Sequence, residues 1–270
     1  MKRTIAHAVA AALLGISALG AAAAAAGPAP HRAVYGLSLL ETRESSDIWS
    51  VRGRVVVDWQ GSACDGYVTS QRIVSRMASK QAADFTSDFR VSSWEAGDGS
   101  DFTFILTHLV DGQSVEEIEG RAVRSPGGGE AVFTRPEAAS IPLPADVMFP
   151  SELVRRMLAA AEAGDRILAG NLFDGSEMAH HFATTVYFGQ AGSGAPEAAE
   201  SQAGGALAGL TYWPVQVSYF DPRDPAGLPS YEVSFRLYDN GVATGLVMDY
   251  GDLVLGASLL ELEMFPVPDC

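Results

Sequence analysis

Apolar and polar residues alternate with a period of two through most of this chain, and that pattern constrains the fold more than any other feature. In the segment from Val51 to Trp59 the odd positions are mainly apolar, and Arg52, Arg54 and Asp58 alternate with them. Such alternation is typical of strands with one buried face. The sequence therefore predicts an all-β protein built from long, half-buried strands.

Turn dipeptides separate the alternating segments and indicate how the strands are connected. Each joins Asp or Asn to Gly, which can supply the positive φ angles of a tight hairpin. They are Asp65-Gly66, Asp98-Gly99, Asp111-Gly112, Asp174-Gly175 and Asn240-Gly241. Consecutive strands are expected to pair in antiparallel fashion. Because all-β domains can be long, residues 27–270 are expected to form a single domain.

One segment departs from the alternation and is predicted to be an amphipathic helix. Its apolar residues recur at helical spacing: Leu153, Val154, Met157, Leu158 and Ala161. Ser151 is expected to cap the first turn, and Gly164 is expected to end the helix. The apolar stripe must be buried, so the fold class is a mainly antiparallel, strongly curved sheet, a β-spiral or open barrel, with this helix packed in or against it.

Two further segments are distinguished by small residues. Residues 190–209 are mostly Ala, Gly, Ser and Glu and are expected to form a flexible loop. Residues 1–26 begin with Lys2 and Arg3, continue with an apolar run and end in six alanines. This order is typical of a secretory signal peptide, and the apolar run is too short and too interrupted for a membrane span. The protein is expected to be exported and not to span a membrane.

The cysteines and the net charge limit the chemistry further. The chain has two cysteines, Cys64 and Cys270, which an oxidising compartment would join in a disulfide, although two free thiols stay the alternative. A zinc site is not expected, because neither cysteine has a second Cys or His at ligand spacing. The net charge of −15 argues against nucleic acid as a partner, because nucleic-acid affinity depends on clustered Lys and Arg.

Known catalytic and cofactor signatures are absent from the sequence, so no catalytic residue and no cofactor are predicted. His180 and His181 are adjacent, and their rings would point to opposite faces of a strand, which argues against a metal site. His108 has the same parity as the apolar residues of its strand and is expected to be a hydrogen-bonded core residue rather than a catalytic base.

A set of short phrases, taken together, resembles one family of bacterial envelope proteins, the EipB-like family of cell-envelope integrity proteins. The phrases are His31-Arg32-Ala33-Val34-Tyr35, Cys64-Asp65-Gly66-Tyr67 with Gln71-Arg72, Phe149-Pro150, Phe173-Asp174-Gly175-Ser176, Tyr212-Trp213-Pro214-Val215, Ser218-Tyr219-Phe220-Asp221, Leu228-Pro229 with Tyr231, Leu237-Tyr238-Asp239-Asn240-Gly241 and Asp249-Tyr250-Gly251-Asp252. The resemblance implies a periplasmic sheet wound around a helix, akin to lipoprotein carriers, with a disulfide between Cys64 and Cys270. It also implies a role in envelope maintenance and stress resistance, without a defining enzymatic activity.

The leading hypothesis for function is a non-enzymatic periplasmic protein that binds an apolar ligand, a lipoprotein segment or a partner protein in a groove of the curved sheet. Aromatic residues are the candidates for lining that groove: Trp59, Tyr212, Trp213, Tyr219, Phe220 and Tyr238. Ordinary core packing is the competing interpretation for each of them. Two other functions stay open, an envelope hydrolase with a carboxylate or histidine site, and an acidic scaffold for a basic periplasmic partner.

Overall fold

The fold comes from a computed structural model, which describes residues 27–44, 46–194 and 204–268. The predicted signal peptide, the middle of the predicted 190–209 loop and Cys270 lie outside the described residues.

Strands dominate the regular structure of these ranges, which also contain one α-helix, α1 (Pro150–Ala163), and a short 3₁₀ helix at Gly204–Leu207. The strands are β1 (His31–Thr42), β2 (Ile48–Ser62), β3 (Gly66–Ser79), β4 (Phe85–Glu95), β5 (Asp101–Val110), β6 (Gln113–Ser125), β7 (Gly128–Arg135), β8 (Ala139–Leu143), β9 (Val147–Met148), β10 (Ile167–Leu172), β11 (Phe182–Phe188), β12 (Gly192–Ser193), β13 (Thr211–Phe220), β14 (Tyr231–Tyr238), β15 (Ala243–Asp249) and β16 (Leu253–Met264). The predicted all-β class is confirmed.

All the strands belong to one sheet, and its order explains the barrel-like shape. The order is β8-β7-β6-β5-β4-β3-β2-β1-β16-β15-β14-β13-β11-β10-β9, with β12 paired to β13. Neighbours are antiparallel except for the parallel pair of β9 and β10. The first and last strands pair with each other in the middle of the sheet, with His31 opposite Met264. The edges β8 and β9 are consecutive in the chain, so the sheet curls into a nearly closed, open barrel.

The predicted alternation decides which side chains face the concave side. In β5, Phe102, Phe104 and Leu106 are buried, whereas Ile105 between them is 48% exposed. The predicted turn at Asp111-Gly112 is confirmed, since both residues have positive φ angles where β5 turns into β6. Asp174-Gly175 is different, because it lies in a longer connection between β10 and β11 and does not form a tight hairpin.

Helix α1 packs against the concave side of the sheet, as predicted. Leu153, Met157 and Leu158 are each at most 5% exposed. They share a core cluster with residues of β10, β11, β13 and β14, including Val186 and Val215. The helix ends at Gly164, which has a φ of 81° and donates its N–H to carbonyl oxygens of the last turn. This left-handed position favours glycine, which has no Cβ.

The expectation that Ser151 caps the helix is wrong. The N-cap position is Phe149, and Ser151 lies inside the first turn. The carboxylate of Glu95, at the end of β4, accepts hydrogen bonds from the backbone N–H groups of Ser151 at 2.6 Å and Glu152 at 2.9 Å. A residue distant in sequence thus satisfies the free N–H groups of the helix, and local sequence patterns carry no signal for such a cap.

The predicted flexible loop at 190–209 is ordered at both ends in the described ranges. Gly192–Ser193 pair with β13 as β12, and Gly204–Leu207 form the 3₁₀ helix. Leu207 is fully buried in a core cluster with Tyr238 and Leu259. One large apolar side chain in a run of small residues, that of Leu207, therefore anchors the C-terminal end of the 190–209 segment. Residues 195–203 lie outside the described residues.

Candidate functional site

An apolar cavity lies between α1 and the concave side of the sheet. Its volume is about 580 Å³, and Leu153, Val154 and Met157 form its helical wall. A smaller cavity of about 180 Å³ continues from it toward β1, where it reaches Tyr35. Both cavities are lined by Trp59, Val154 and Met157. The two cavities therefore share a wall, and together we call them the α1 cavity.

One end of the α1 cavity is polar. Asp174 and Ser176, from the connection between β10 and β11, line the larger part. They lie there with three tyrosines, which we call the tyrosine cluster: Tyr219, Tyr231 and Tyr250. Among the described residues that line this larger part, Asp174 is the one carboxylic acid, and no Arg, Lys or His lines it. The cavity therefore combines mainly apolar walls with one acidic residue, and Thr69, Ser70, Gln71 and Ser93 add uncharged polar groups on the side of β3 and β4.

The chain reaches Asp174 through a tight local structure. Its Oδ1 accepts hydrogen bonds from the backbone N–H of Ser176 at 2.9 Å and from the Ser176 hydroxyl at 2.7 Å. Gly175 has a φ of 76°, and a Cβ there would lie 2.4 Å from the ring of Phe104. Only glycine fits this close approach. Burial raises the pKa of the Asp174 carboxyl, although the bonds from Ser176 oppose that rise.

The tyrosine cluster is arranged by the pairing of β13 with β14. Tyr219 lies directly opposite Tyr231, and their rings stack at a centroid distance of 4.3 Å. Tyr250 stacks on the other side of Tyr231 at 5.9 Å. Phe182 contacts Tyr219 and Tyr231 edge-on. Burial raises the pKa of both Tyr219 and Tyr231, and the nearby Asp174 carboxylate adds to that rise, so these phenols stay protonated at neutral pH.

The first turn of α1 is held by a buried network of charges. Glu95 is 1% exposed and lies 3.7 Å from Arg155, whose guanidinium also lies over the ring of Tyr67. Glu152 forms an ion pair with Arg124 of β6 at 2.7 Å. Burial raises the pKa of Glu95 to about 7, against the opposing effect of the helix N–H groups and Arg155. This network fixes the position of the helical wall.

The six aromatic residues expected to line a groove fall into different places. Trp59 and Tyr219 line the α1 cavity. Trp213 is buried in the core cluster that contains the helix residues. Tyr212 and Tyr238 contact each other with tilted rings, at a centroid distance of 5.5 Å, in a separate region beside Leu207.

Phe220 is half-buried opposite Ala183 and does not line the described cavity. Sequence reasoning missed Asp174, Tyr231 and Tyr250. Tyr231 is two positions before Val233 in its strand, so the alternation indicates that both side chains face the same side of the sheet. At Asp174 the sequence indicates only a turn.

His31 lines the smaller part of the α1 cavity, and His180 interacts electrostatically with Asp174, whereas His108 and Cys64 line neither part. His108 is partly buried, as expected, with its Nε2 at 2.9 Å from the Ser87 hydroxyl. His180 Nε2 lies 3.5 Å from an Asp221 oxygen. The described residues contain no group of three or more side chains placed to hold a metal ion. Cys64 lies in the turn between β2 and β3, and because Cys270 is outside the described residues, their disulfide stays a prediction.

The helical content gives no sign of a membrane span. Within the described ranges, no helix combines the length and the apolar character needed to cross a bilayer.

Comparison with known proteins agrees with this architecture. Residues 22–266 match the family described as EipB-like. The cell envelope integrity protein EipB of Brucella abortus (strain 2308) is 34% identical over 253 residues, which cover 93% of this chain and 89% of that protein. A crystal structure of a beta-barrel-like protein of the domain of unknown function DUF1849 from Brucella abortus superposes with a TM-score of 0.84. That alignment has 32% identity and covers 90% of this chain and all of the other.

The match extends over nearly the whole of each chain and includes both the helix and the strands that wall the α1 cavity. The open barrel and the sequence likeness point to the same relationship, and the chain belongs to the EipB-like family.

Proposed function

We propose that this protein supports the integrity of the cell envelope from the periplasm by holding an apolar or amphiphilic ligand in the α1 cavity, without catalysing a reaction. The envelope role is supported by a relative named a cell envelope integrity protein. The ligand-binding role depends on one observation, the cavity of about 580 Å³ with mainly apolar walls. Small-molecule sites in proteins have this size and this lining.

The packing around the cavity supports binding rather than imperfect folding. Protein interiors are close-packed, with few voids larger than a water molecule. The neighbouring end of this barrel follows that rule, since Phe102, Phe149 and Phe173 are each at most 1% exposed. The α1 cavity instead keeps half-buried apolar side chains such as Val154 and Phe235 facing an open volume. An acyl chain or another apolar group would bury them further.

A cavity-filling variant tests the proposal. Native protein is expected to bind the neutral dye Nile red with micromolar affinity. Val154→Trp places a large side chain in the cavity and should weaken binding by about tenfold or more, which corresponds to about 1.4 kcal/mol. Ala159→Trp is the matched control, because Ala159 is exposed on the same helix and should bind as the native protein does. Equal binding by all three proteins would overturn the assignment of the cavity.

The hydrolase alternative has one observation in its favour, the hydrogen-bonded pair of Ser87 and His108. A catalytic serine also needs a third group that orients the histidine. Among the described residues, no hydrogen bond reaches the other ring nitrogen of His108, and neither residue lines the α1 cavity. Hydrolysis of p-nitrophenyl esters that is abolished by Ser87→Ala would support the alternative and contradict the non-catalytic proposal.

A further inference from the structure

We propose that the ligand is a cationic amphiphile, with its alkyl chain along α1 and an ammonium head group against Asp174 and the tyrosine cluster. This inference rests on the proposed function, since it names the class of ligand that the same cavity would bind. Two features support the inference: the charge and hydrogen bonding at the polar end of the cavity, and the arrangement of the aromatic rings around that end.

Asp174 has spare capacity to bind a cation. Among the described residues, the Ser176 N–H and hydroxyl both donate to Oδ1, and the backbone N–H of Asp174 also interacts with its own carboxyl group. No Arg or Lys among those residues forms an ion pair with it. Burial raises the pKa of this carboxyl group and disfavours its ionised form, which has no Lys or Arg counter-charge in the cavity. A ligand cation would supply the missing partner.

The neighbouring charged groups do not replace that partner. His180 interacts electrostatically with Asp174, but its Nε2 lies 3.5 Å from an oxygen of Asp221, on the next connection of the sheet. Its Nδ1 lies 2.9 Å from the carbonyl oxygen of His181. Glu177, which is exposed, adds negative charge close to the same end of the cavity. The local field therefore favours a positive group, as does the net charge of −15 for the chain.

The tyrosine cluster provides the second feature that recognises a cation. The faces of aromatic rings carry negative potential, and a carboxylate next to stacked rings is a favourable site for an ammonium group. Tyr231 lies between the rings of Tyr219 and Tyr250. The same Asp174 carboxylate interacts electrostatically with Tyr219 and Tyr231, which places the charge and the rings at one end. An anionic head group would meet repulsion there.

The rest of the cavity fits an alkyl chain. From the polar end, the hollow continues past Leu153, Val154 and Met157 on the helix and past Phe235 and Leu246 on the sheet. The smaller cavity extends this path toward β1. These walls are mainly apolar, with Gln71 and His31 as polar exceptions in the smaller part, and burial of each methylene group contributes about 0.8 kcal/mol. The site therefore separates a charged end from an apolar body, as an amphiphile does.

Displacement of Nile red by three ligands with the same alkyl chain tests the head-group preference on the native protein. The ligands are dodecylammonium, dodecanoate and dodecyl maltoside, each below its micelle-forming concentration. Dodecylammonium is expected to displace the dye at about tenfold lower concentration than the other two. This preference should persist in 0.5 M NaCl, because salt screens surface charges far more than a charge inside a cavity. A preference that disappears in salt would assign it to the acidic surface and overturn the inference.

A charge-neutralising variant then locates the preference. Asp174→Asn should lose the tenfold preference for dodecylammonium over the other two ligands, whatever its own affinity for Nile red. Glu162→Gln is the matched control, because it removes an exposed acid of α1 that lines neither part of the cavity and should keep the preference. Equal affinity of the native protein for the three ligands would overturn the cationic head group and leave the proposed function standing. Absence of dye binding to the native protein would overturn both.

Discussion

Two aromatic clusters on the concave side of the same sheet differ in how completely they are packed. The first, the phenylalanine cluster, consists of Phe102, Phe104, Phe133, Phe149 and Phe173. Each of its members is at most 2% exposed. The tyrosine cluster lines the α1 cavity, and in it Tyr219 and Tyr231 are half-buried while Tyr250 is exposed. The strand residues of both clusters follow the same alternation in the sequence, so alternation alone does not decide which region becomes close-packed core.

The difference comes from the elements that cover each cluster. Phe149 immediately precedes α1, and Phe173 follows β10. These two residues flank the segment that contains the helix, and they pack against the phenylalanine rings of β5 and β7. A Cβ at Gly120 or Gly175 would overlap the ring of Phe104, so glycine at both positions leaves room for that ring. The tyrosine cluster borders the open volume of the α1 cavity instead, with Phe182 edge-on against two of its rings. The comparison indicates that the first cluster is close-packed core, whereas the second has free volume beside it.

Truncation in the phenylalanine cluster should have the largest effect on stability. Phe102→Ala removes a ring that stacks on Phe104 at 5.4 Å and on Phe149 at 5.1 Å. Such a deletion in a close-packed core costs about 3–5 kcal/mol. Urea denaturation should show this loss as a lower midpoint with an unchanged slope. A loss below about 1 kcal/mol would show that this region is loosely packed too, and the contrast between the clusters would fail.

Glu95 should give the stability of the barrel an unusual dependence on pH. Its pKa is raised from 4.5 to about 7, so between these values the folded protein holds a proton that the unfolded chain has released. Its contribution is therefore complete below about pH 4.5 and is lost as the pH rises through 7. The loss amounts to about 3 kcal/mol, at 1.36 kcal/mol for each pKa unit.

The comparison of Glu95→Gln with the native protein isolates this effect. The variant keeps the size of the side chain and cannot ionise, so its free energy of unfolding should change less between pH 4.5 and 7. Glu117→Gln, at an exposed ion pair with Arg135, is the control and should follow the native curve. Identical curves for the native protein and Glu95→Gln would contradict the raised pKa. They would also show that helix α1 is held independently of the protonation of Glu95.

The sequence predicts the fold better than the site because the two depend on different information. Strand alternation and the stripe of Leu153, Met157 and Leu158 are local patterns, and both are confirmed. The helix cap was predicted wrongly, because Glu95 reaches α1 from a residue distant in the chain. No local rule specifies that contact.

The site depends on similar long-range contacts. Asp174 reaches the tyrosine cluster only when β10, β13 and β14 have assembled. Trp59 and Tyr219 were predicted as groove residues, and both line the cavity. Tyr212 and Tyr238 were predicted for the same reason, but they lie in a different region. Aromatic residues in strands thus indicate a concave surface without showing which of them remain open to a ligand. The topology of the sheet makes that selection.

A milder variant in the tyrosine cluster should have the smallest effect on stability and gives the strictest test of the contrast. Tyr231→Leu keeps an apolar side chain and removes the ring stacked between Tyr219 and Tyr250. The lost ring contacts are worth about 1 kcal/mol, because the rest of the site is not close-packed. Tyr187→Leu, at a tyrosine that is 49% exposed on β11, is the control and should change stability less. If Tyr231→Leu cost as much as Phe102→Ala, the tyrosine cluster would be a second structural core, and an open binding end would no longer follow from its packing.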